Sequence, residues 1–126
     1  MAYQDRDQYL PADWPAGVQP PATEDWEVSA VGWLLDLVPE CRKYRLVCSH
    51  PVVLASIARH LVHGQVDGAR QGYRTVRSEL AEWVPPHAVD AALKAYRGEG
   101  YRLAAAERAV DLVERALRGD TFKPGL

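Results

Sequence analysis

Apolar residues recur at helical spacing along two long stretches of the chain, residues 51–84 and 86–118. In the first stretch they alternate at intervals of four and three residues, as in a helix that packs along its whole length: Val62, Val66, Ala69, Tyr73, Val76, Leu80 and Trp83. A similar stripe runs through the second stretch. Because Pro85 and Pro86 interrupt the backbone between them, the pattern predicts two antiparallel helices in a coiled-coil-like hairpin.

A shorter helix is predicted over residues 24–38, before this hairpin. Thr23 is a candidate N-cap, acidic residues occupy the first turn, and Pro39 ends the helix. Its apolar positions cover more than half of a helical wheel, which is typical of a helix buried on more than one side. Residues 39–47 are then predicted to form a short helix or helical turn, and Pro51 to open the first long helix.

Three glycines, Gly64, Gly68 and Gly72, complicate the first long helix. Each costs roughly 1 kcal/mol relative to alanine inside a helix. Residues 64–68 could therefore be a loop that splits the helix in two. Alternatively, the helix is continuous and the glycines form a face on which another helix packs closely. We favour the continuous helix, because no proline or turn dipeptide accompanies the glycines.

Residues 1–22 are predicted to form an acidic, extended arm that is rich in proline and aromatic residues. Tyr9 and Trp14 are expected to anchor this arm, either on the body of the protein or on a partner. Residues 23–119 are predicted to be a single helical domain in which Gly119 stops the last helix. Residues 120–126 are predicted to be a frayed tail.

The resulting fold prediction is all-α. A long antiparallel helical hairpin packs with the shorter, buried N-terminal helix as a three- to four-helix bundle, and the proline-rich arm lies over it. The hairpin should be roughly 50 Å long, which is too long for one short helix to cover. The uncovered apolar surface predicts a homodimer.

Composition narrows the function only slightly. The net charge of −2 gives no strong field to attract nucleic acid. With no apolar run long enough to span a bilayer and no signal-peptide pattern at the start, the expectation is a cytoplasmic protein with no membrane partner. Two cysteines, Cys41 and Cys48, are too few for a disulfide framework.

Motifs for metal binding or catalysis are not evident in the sequence. The two cysteines lack the close pairing of a zinc site, and His60 and His63 lack a third ligand. Neighbouring carboxylates, such as Asp111 and Glu114, stand four residues before an arginine, which is typical of ion pairs on a solvated helix face. The expectation is a non-enzymatic protein with no cofactor and no metal.

The remaining feature is a basic strip on the first long helix. Its five residues fall within about 60° of one another on a helical wheel: Arg59, His63, Arg70, Arg74 and Arg77. The strip could be a solvated face whose arginine stems shield the apolar stripe, or a site for an acidic partner.

Three functions remain open on this basis. The favoured one is a helical protein-interaction or regulatory module that uses its helical faces, Tyr9 and Trp14 to bind a protein or a second copy of itself. The first alternative is a nucleic-acid-associated regulator that uses the basic strip, although the net charge disfavours it. The second is a small-molecule-binding bundle with a pocket where the glycines leave space beside Trp33 or Tyr96.

Overall fold

The computed structural model describes residues 9–124, and within them every regular element is helical. Four α-helices and one 3-10 helix follow one another: α1 Trp26–Leu37, the 3-10 helix Pro39–Lys43, α2 Arg45–Ser49, α3 Pro51–Leu80 and α4 Pro86–Leu117. The all-α prediction and the packed pair of long helices are confirmed. Residues 1–8, which include much of the predicted arm, and residues 125–126 of the predicted tail lie outside the described part.

The start of α1 differs from the prediction. Thr23 does not cap it, since its hydroxyl donates to the carbonyl of Pro20 instead. Asp25 is the N-cap and has a left-handed backbone with φ of 65°, and its side chain makes no capping hydrogen bond. The helix therefore begins at Trp26, two residues later than predicted. The helix is also less buried than expected, because Val28 is 70% exposed.

The prolines mark the helix boundaries well. Pro51 and Pro86 are the first residues of α3 and α4, as predicted, because proline already has a helical φ and needs no partner for a missing N–H. However, α3 ends at Leu80 rather than Val84. Pro85 and Pro86 cannot donate to carbonyls four residues earlier, and residues 81–83 form a turn instead.

Two glycine predictions are confirmed. α3 continues without a break through Gly64, Gly68 and Gly72. Gly119 ends α4 with a positive φ of 99°. Its N–H donates to the carbonyl of Ala116, and the N–H of Asp120 donates to that of Arg115. These two bonds make a Schellman motif, which satisfies carbonyls that the helix end would leave unpaired.

The chain divides into two compact units. Unit 1 takes the described residues up to Arg59 and those from Arg108 onward. Its core joins α1 to the beginning of α3 and the end of α4 through side chains with no exposed surface: Leu34, Leu54, Val110 and Val113. Three half-buried tryptophans, Trp14, Trp26 and Trp33, pack against this core.

Unit 2, His60–Glu107, contains only the rest of α3 and α4 with the turn between them. The helices run antiparallel, since His63 contacts Glu107 and Tyr73 contacts Arg97. The predicted stripe is partly buried: Val62, Val66, Ala69 and Val76 lie inside, whereas Tyr73 is 39% exposed and Trp83 is 80% exposed. Trp83 leaves the stripe because it lies beyond the end of α3.

Candidate functional site

The basic strip does not form one free surface. Arg59, in unit 1, donates from Nε to Glu114 Oε1 at 2.6 Å. Glu114 also accepts from Nη2 of Arg118 at 2.9 Å and is only 5% exposed. The predicted ion pair between Glu114 and Arg118 is present, but its carboxylate is buried rather than solvated. Arg59 is therefore already paired within unit 1, and its contact with a partner stays a prediction.

Burial and hydrogen bonding act on Glu114 in opposite directions. Burial raises the pKa of its carboxyl group, but the hydrogen bonds and charges of Arg59 and Arg118 outweigh burial and leave that pKa below its ordinary value. The pKa of Arg59 is raised, chiefly by its hydrogen bond to Glu114. Both groups stay ionised at neutral pH, so the cluster is a structural ion-pair network.

His63, in unit 2, is also engaged. Its Nδ1 lies 2.5 Å from Glu107 Oε2, and its Nε2 lies 3.7 Å from Asp67 Oδ2. Both ring nitrogens therefore face carboxylates of the same unit. Because its ring nitrogens already lie near two carboxylates, contact of His63 with an acidic partner stays a prediction.

The other three residues of the strip form what we call the arginine ridge: Arg70, Arg74 and Arg77. All three side chains are exposed, and none makes an ion pair or hydrogen bond with any residue between 9 and 124. Their spacing of four and three residues places them on successive turns of one face, about 10 Å from end to end. The ridge is a concentrated, unneutralised positive surface.

An aromatic group stands beside the ridge. Arg97 of α4 donates from Nη2 to the hydroxyl of Tyr73 at 3.0 Å, and its guanidinium carbon lies 5.7 Å from the centre of the Tyr73 ring. The hydrogen bond to Tyr73 is the main cause of the raised pKa of Arg97. The pair adds a fourth cation and a partly exposed ring to the same part of unit 2.

Acidic residues lie in the turn between the long helices and on the helix ends beside it: Glu82 in the turn, Glu79 on α3 and Asp90 on α4. We call Glu79, Glu82, Trp83 and Asp90 the acidic tip. None of its three carboxylates forms an ion pair within the described residues, and Trp83 is the most exposed large apolar side chain there. This surface was not predicted, because Trp83 continues the spacing of the apolar stripe in the sequence. The double proline after Trp83 was the signal that could have revealed it.

The glycines do not form a close-packing face within the chain. A Cβ atom added to Gly64 or Gly68 would meet nothing within 4 Å. Among the residues that the structure describes, Gly64 and Gly68 therefore have no close neighbour, and their close-packing face stays a prediction. At Gly72 the space is filled by the ring of Tyr96, whose hydroxyl oxygen would lie 2.8 Å from an added Cβ. Close approach is thus real at Gly72, and it involves a side chain rather than a backbone.

The predicted ligand pocket is only partly present. Trp33 lies next to Gly17 in unit 1. Near Tyr96 there is an open groove of about 340 Å³ in unit 2, lined by Gln65, Ala69, Ala95, Tyr96, Glu99 and Leu103. Glu99 is already bound to Arg102 at 2.7 Å. The surface of the groove is therefore mainly apolar.

Tyr9 and Trp14 both lie in unit 1. Trp14 donates from Nε1 to the carbonyl of Val18 at 2.9 Å and meets the ring of Phe122 edge-on, with ring centres 6.0 Å apart. Tyr9 is 41% exposed and lines a cavity of about 180 Å³ together with Phe122. Trp14 thus packs on the protein's own body. Asp13 of the predicted acidic arm likewise forms an ion pair with Arg108 of unit 1.

Between residues 9 and 124, no three histidine, cysteine or acidic side chains gather closely enough to hold a metal ion. Within the same range, no helix combines the length and apolar character needed to cross a bilayer. Comparisons with protein-family models, curated proteins and solved structures found nothing that matches the chain.

Proposed function

We propose that this chain is a non-enzymatic protein-interaction module whose arginine ridge binds an acidic segment of a protein. The observation that carries the proposal is the ridge itself: three exposed arginines on successive turns with no carboxylate partner among the described residues. Arginine and tyrosine are enriched at protein interfaces. The Tyr73–Arg97 pair beside the ridge adds both residue types.

The three arginines of the ridge lower the stability of α3, because they repel one another. Like charges three and four residues apart destabilise a helix by about 0.2–0.5 kcal/mol per pair. Arg70 and Arg74 form one such pair, and Arg74 and Arg77 form another. An acidic segment lying along this face would remove that repulsion and form charge-assisted hydrogen bonds, which guanidinium groups make well with carboxylates.

We also propose that the chain is a three- to four-helix bundle that carries the extended proline-rich arm. Val18, which is only 4% exposed, and the Trp14 hydrogen bond support docking of the arm within unit 1. The proposed setting is the cytoplasm, which suits the free thiols Cys41 and Cys48.

Fluorescence anisotropy with labelled polyglutamate tests the binding function directly. The native chain should bind this probe, and R70E/R74E should weaken binding at least about tenfold, since each lost ion pair at an interface is worth about 1 kcal/mol or more. R45E is the matched control, because Arg45 is also exposed and unpaired but lies on α2 in unit 1. Equal binding by R70E/R74E and the native chain would refute the proposal.

The second candidate is binding of nucleic acid, which the stacked Tyr73–Arg97 pair favours because bases stack on aromatic rings and guanidinium planes. The same titration with single-stranded RNA separates the two candidates. If the chain binds RNA but not polyglutamate, and its affinity falls steeply as the salt concentration rises, the ridge binds nucleic-acid phosphates rather than an acidic protein segment.

A further inference from the structure

We infer that Cys41 and Cys48 form a disulfide-exchange site, at which glutathione disulfide oxidises the two thiols to one intramolecular disulfide. The site is separate from the arginine ridge, because both cysteines lie in unit 1. Cys41 belongs to the 3-10 helix and Cys48 to α2. Both thiols are free, and the chain has no other cysteine. Within one chain, each of them can therefore bond only to the other.

The two cysteines lie within reach of each other. The Cys48 thiol donates to the carbonyl oxygen of Cys41, and its sulfur lies 3.2 Å from that oxygen. Covalent geometry adds about 2.8 Å from Sγ to Cα in Cys48 and about 2.4 Å from the oxygen to Cα in Cys41, so the Cα atoms are at most about 8.4 Å apart. A disulfide joins Cα atoms about 4.4–6.8 Å apart, so a shift of at most about 2 Å brings the pair into bonding range.

The α2 helix is the element that can make this shift. It has five residues, and none of them is buried. Leu46 is 77% exposed, and Cys48 is only half-buried. Tyr44 and His50, at the two ends of α2, have non-helical backbone angles. Because a short helix with so few buried contacts has low local stability, small changes in φ and ψ at its two ends can displace it at little cost.

The two thiols differ in exposure, and this difference sets the order of the reaction. Cys41 is 6% exposed and lies in the core of unit 1, whereas the half-buried Cys48 can be reached from solvent. The rate of thiol–disulfide exchange depends on access to the attacking thiolate. Glutathione disulfide therefore reacts first at Cys48. Cys41 then has to reach only the sulfur of Cys48, and it needs no opening to solvent.

The exchange takes two steps. In the first step, the Cys48 thiol loses its proton to solvent, and its thiolate attacks one sulfur of glutathione disulfide. The S–S bond of that molecule breaks, and one glutathione leaves as a thiolate that takes up a proton. In the second step, the Cys41 thiolate attacks the Cys48 sulfur of the mixed disulfide, and the other glutathione leaves in the same way. The two protein thiols lose two electrons, and glutathione disulfide is reduced to two thiols.

Arg45 favours an anionic disulfide as the oxidant. It is exposed, and the structure shows no ion pair for it among the residues it describes. Arg45 stands three residues before Cys48 on α2, so both side chains lie on one face of the helix. Each half of glutathione disulfide carries two carboxylates, and a guanidinium group pairs well with a carboxylate. Arg45 can therefore hold the oxidant beside the thiol that reacts first.

Mass spectrometry of the native chain after incubation with glutathione disulfide tests the inference. The chain should lose about 2 Da, the mass of two hydrogens, and its denatured form should no longer react with iodoacetamide. Excess reduced glutathione should restore both thiols.

The matched variants C41S and C48S each keep one cysteine. C41S should stop as a mixed disulfide with one glutathione, because the second thiol is missing. C48S should react at least about tenfold more slowly than C41S, since its remaining thiol is buried. If C41S fails to fold, C41A takes its place and should give the same mixed disulfide.

A charge-reversed pair tests the role of Arg45. R45E should slow the oxidation of the native dithiol at least about threefold at low salt, and the difference should shrink as salt screens the charges. R77E is the control, because Arg77 is also exposed and unpaired but lies in unit 2, and it should react like the native chain. An R45E chain that reacts at the native rate would overturn the choice of an anionic oxidant.

Three results with the native chain would each overturn the inference: both thiols stay free in excess glutathione disulfide, the reaction stops at the mixed disulfide, or disulfide-linked dimers form in place of the intramolecular bond. Polyglutamate binding is measured on the same samples. Because the ridge lies in unit 2, its binding should be the same before and after oxidation, so failure of the disulfide and failure of the proposed function are observed separately.

Discussion

The two units of this protein use the same two long helices differently. In unit 1, the beginning of α3 and the end of α4 pack with α1. Four side chains there have no exposed surface: Leu34, Leu54, Val110 and Val113. Unit 2 consists of parts of these two helices and the turn between them. Its buried cluster is small, with Val66, Ala69 and Leu103 at its centre, and Tyr73, Trp83, Tyr96 and Tyr101 are exposed.

The difference shows that the apolar residues of one helix can be covered differently along its length. In unit 1, α1 covers the apolar faces of α3 and α4. Charged side chains of that unit pair with one another, as Glu114 does with Arg59 and Arg118. Without such cover, unit 2 presents aromatic rings and unpaired charges to solvent. Stability should therefore reside mainly in unit 1, and interactions with other molecules mainly in unit 2.

The largest expected effect comes from two leucines of α3. Leu54 is fully buried in unit 1, and Leu61 is 50% exposed in unit 2. We expect Leu54→Ala to lower the free energy of unfolding by about 2–5 kcal/mol through lost burial and the cavity left behind. Leu61→Ala should change it by less than about 1 kcal/mol. Urea denaturation of both variants measures the contrast, and similar losses would show that the two units contribute equally.

The next effect concerns the buried carboxylate of unit 1. We expect Glu114→Gln to destabilise the protein by about 1–3 kcal/mol, less than the roughly 3–5 kcal/mol of a fully buried pair, because both arginines reach solvent. Glu99→Gln, which breaks an exposed pair with Arg102 in unit 2, should cause no measurable change in urea denaturation. A larger loss for Glu99→Gln than for Glu114→Gln would contradict the contrast.

The same variant predicts a pH dependence. Because the pKa of Glu114 is lowered in the folded protein, its contribution is fully present above its ordinary pKa near 4.5 and is lost as the pH falls through the lower folded-state value. The stability difference between the native chain and Glu114→Gln should therefore shrink as the pH falls below 4.5. Urea midpoints measured from neutral to acidic pH check this, and a difference that grows on acidification would refute it.

The smallest effects come from the glycines of α3 in unit 2. Gly64→Ala and Gly68→Ala should each stabilise the protein by about 0.5–1 kcal/mol, since alanine favours the helix and the added Cβ meets nothing. Gly72→Ala should gain less or lose stability, because the ring of Tyr96 must move. Thermal melts of the three variants rank them, and equal gains at all three positions would mean that Tyr96 does not occupy the space at Gly72.

Local sequence signals predicted much of the fold. Pro51, Pro86 and Gly119 act on the backbone within one helical turn, so the start of each long helix and the end of α4 could be read directly from them. The uninterrupted course of α3 followed from the absence of turn residues around its glycines. The left-handed Asp25 could not be predicted, because an unusual φ depends on the packing on both sides of it.

The candidate site was harder to predict than the fold. The wheel placed Arg59, His63 and the arginine ridge on one face, but it could not show which carboxylates of α4 approach them. Pairing across two helices depends on their register. The same limit explains Glu114, whose spacing to Arg118 is typical of an exposed pair although the carboxylate is buried. The helical spacing placed the five basic residues on one face. The contacts of Arg59 and His63 with carboxylates leave Arg70, Arg74 and Arg77 as its unpaired members.

Hydrogen exchange of the native chain, measured residue by residue with and without saturating polyglutamate, tests the division of roles between the units most directly. The slowest amides should lie in unit 1, around Leu34, Leu54 and Val113, because only global unfolding exposes them. Added polyglutamate should increase protection locally around Arg70–Arg77 on α3. Slowest exchange in unit 2, or a polyglutamate response confined to unit 1, would contradict the assignment of stability to unit 1 and of binding to the ridge.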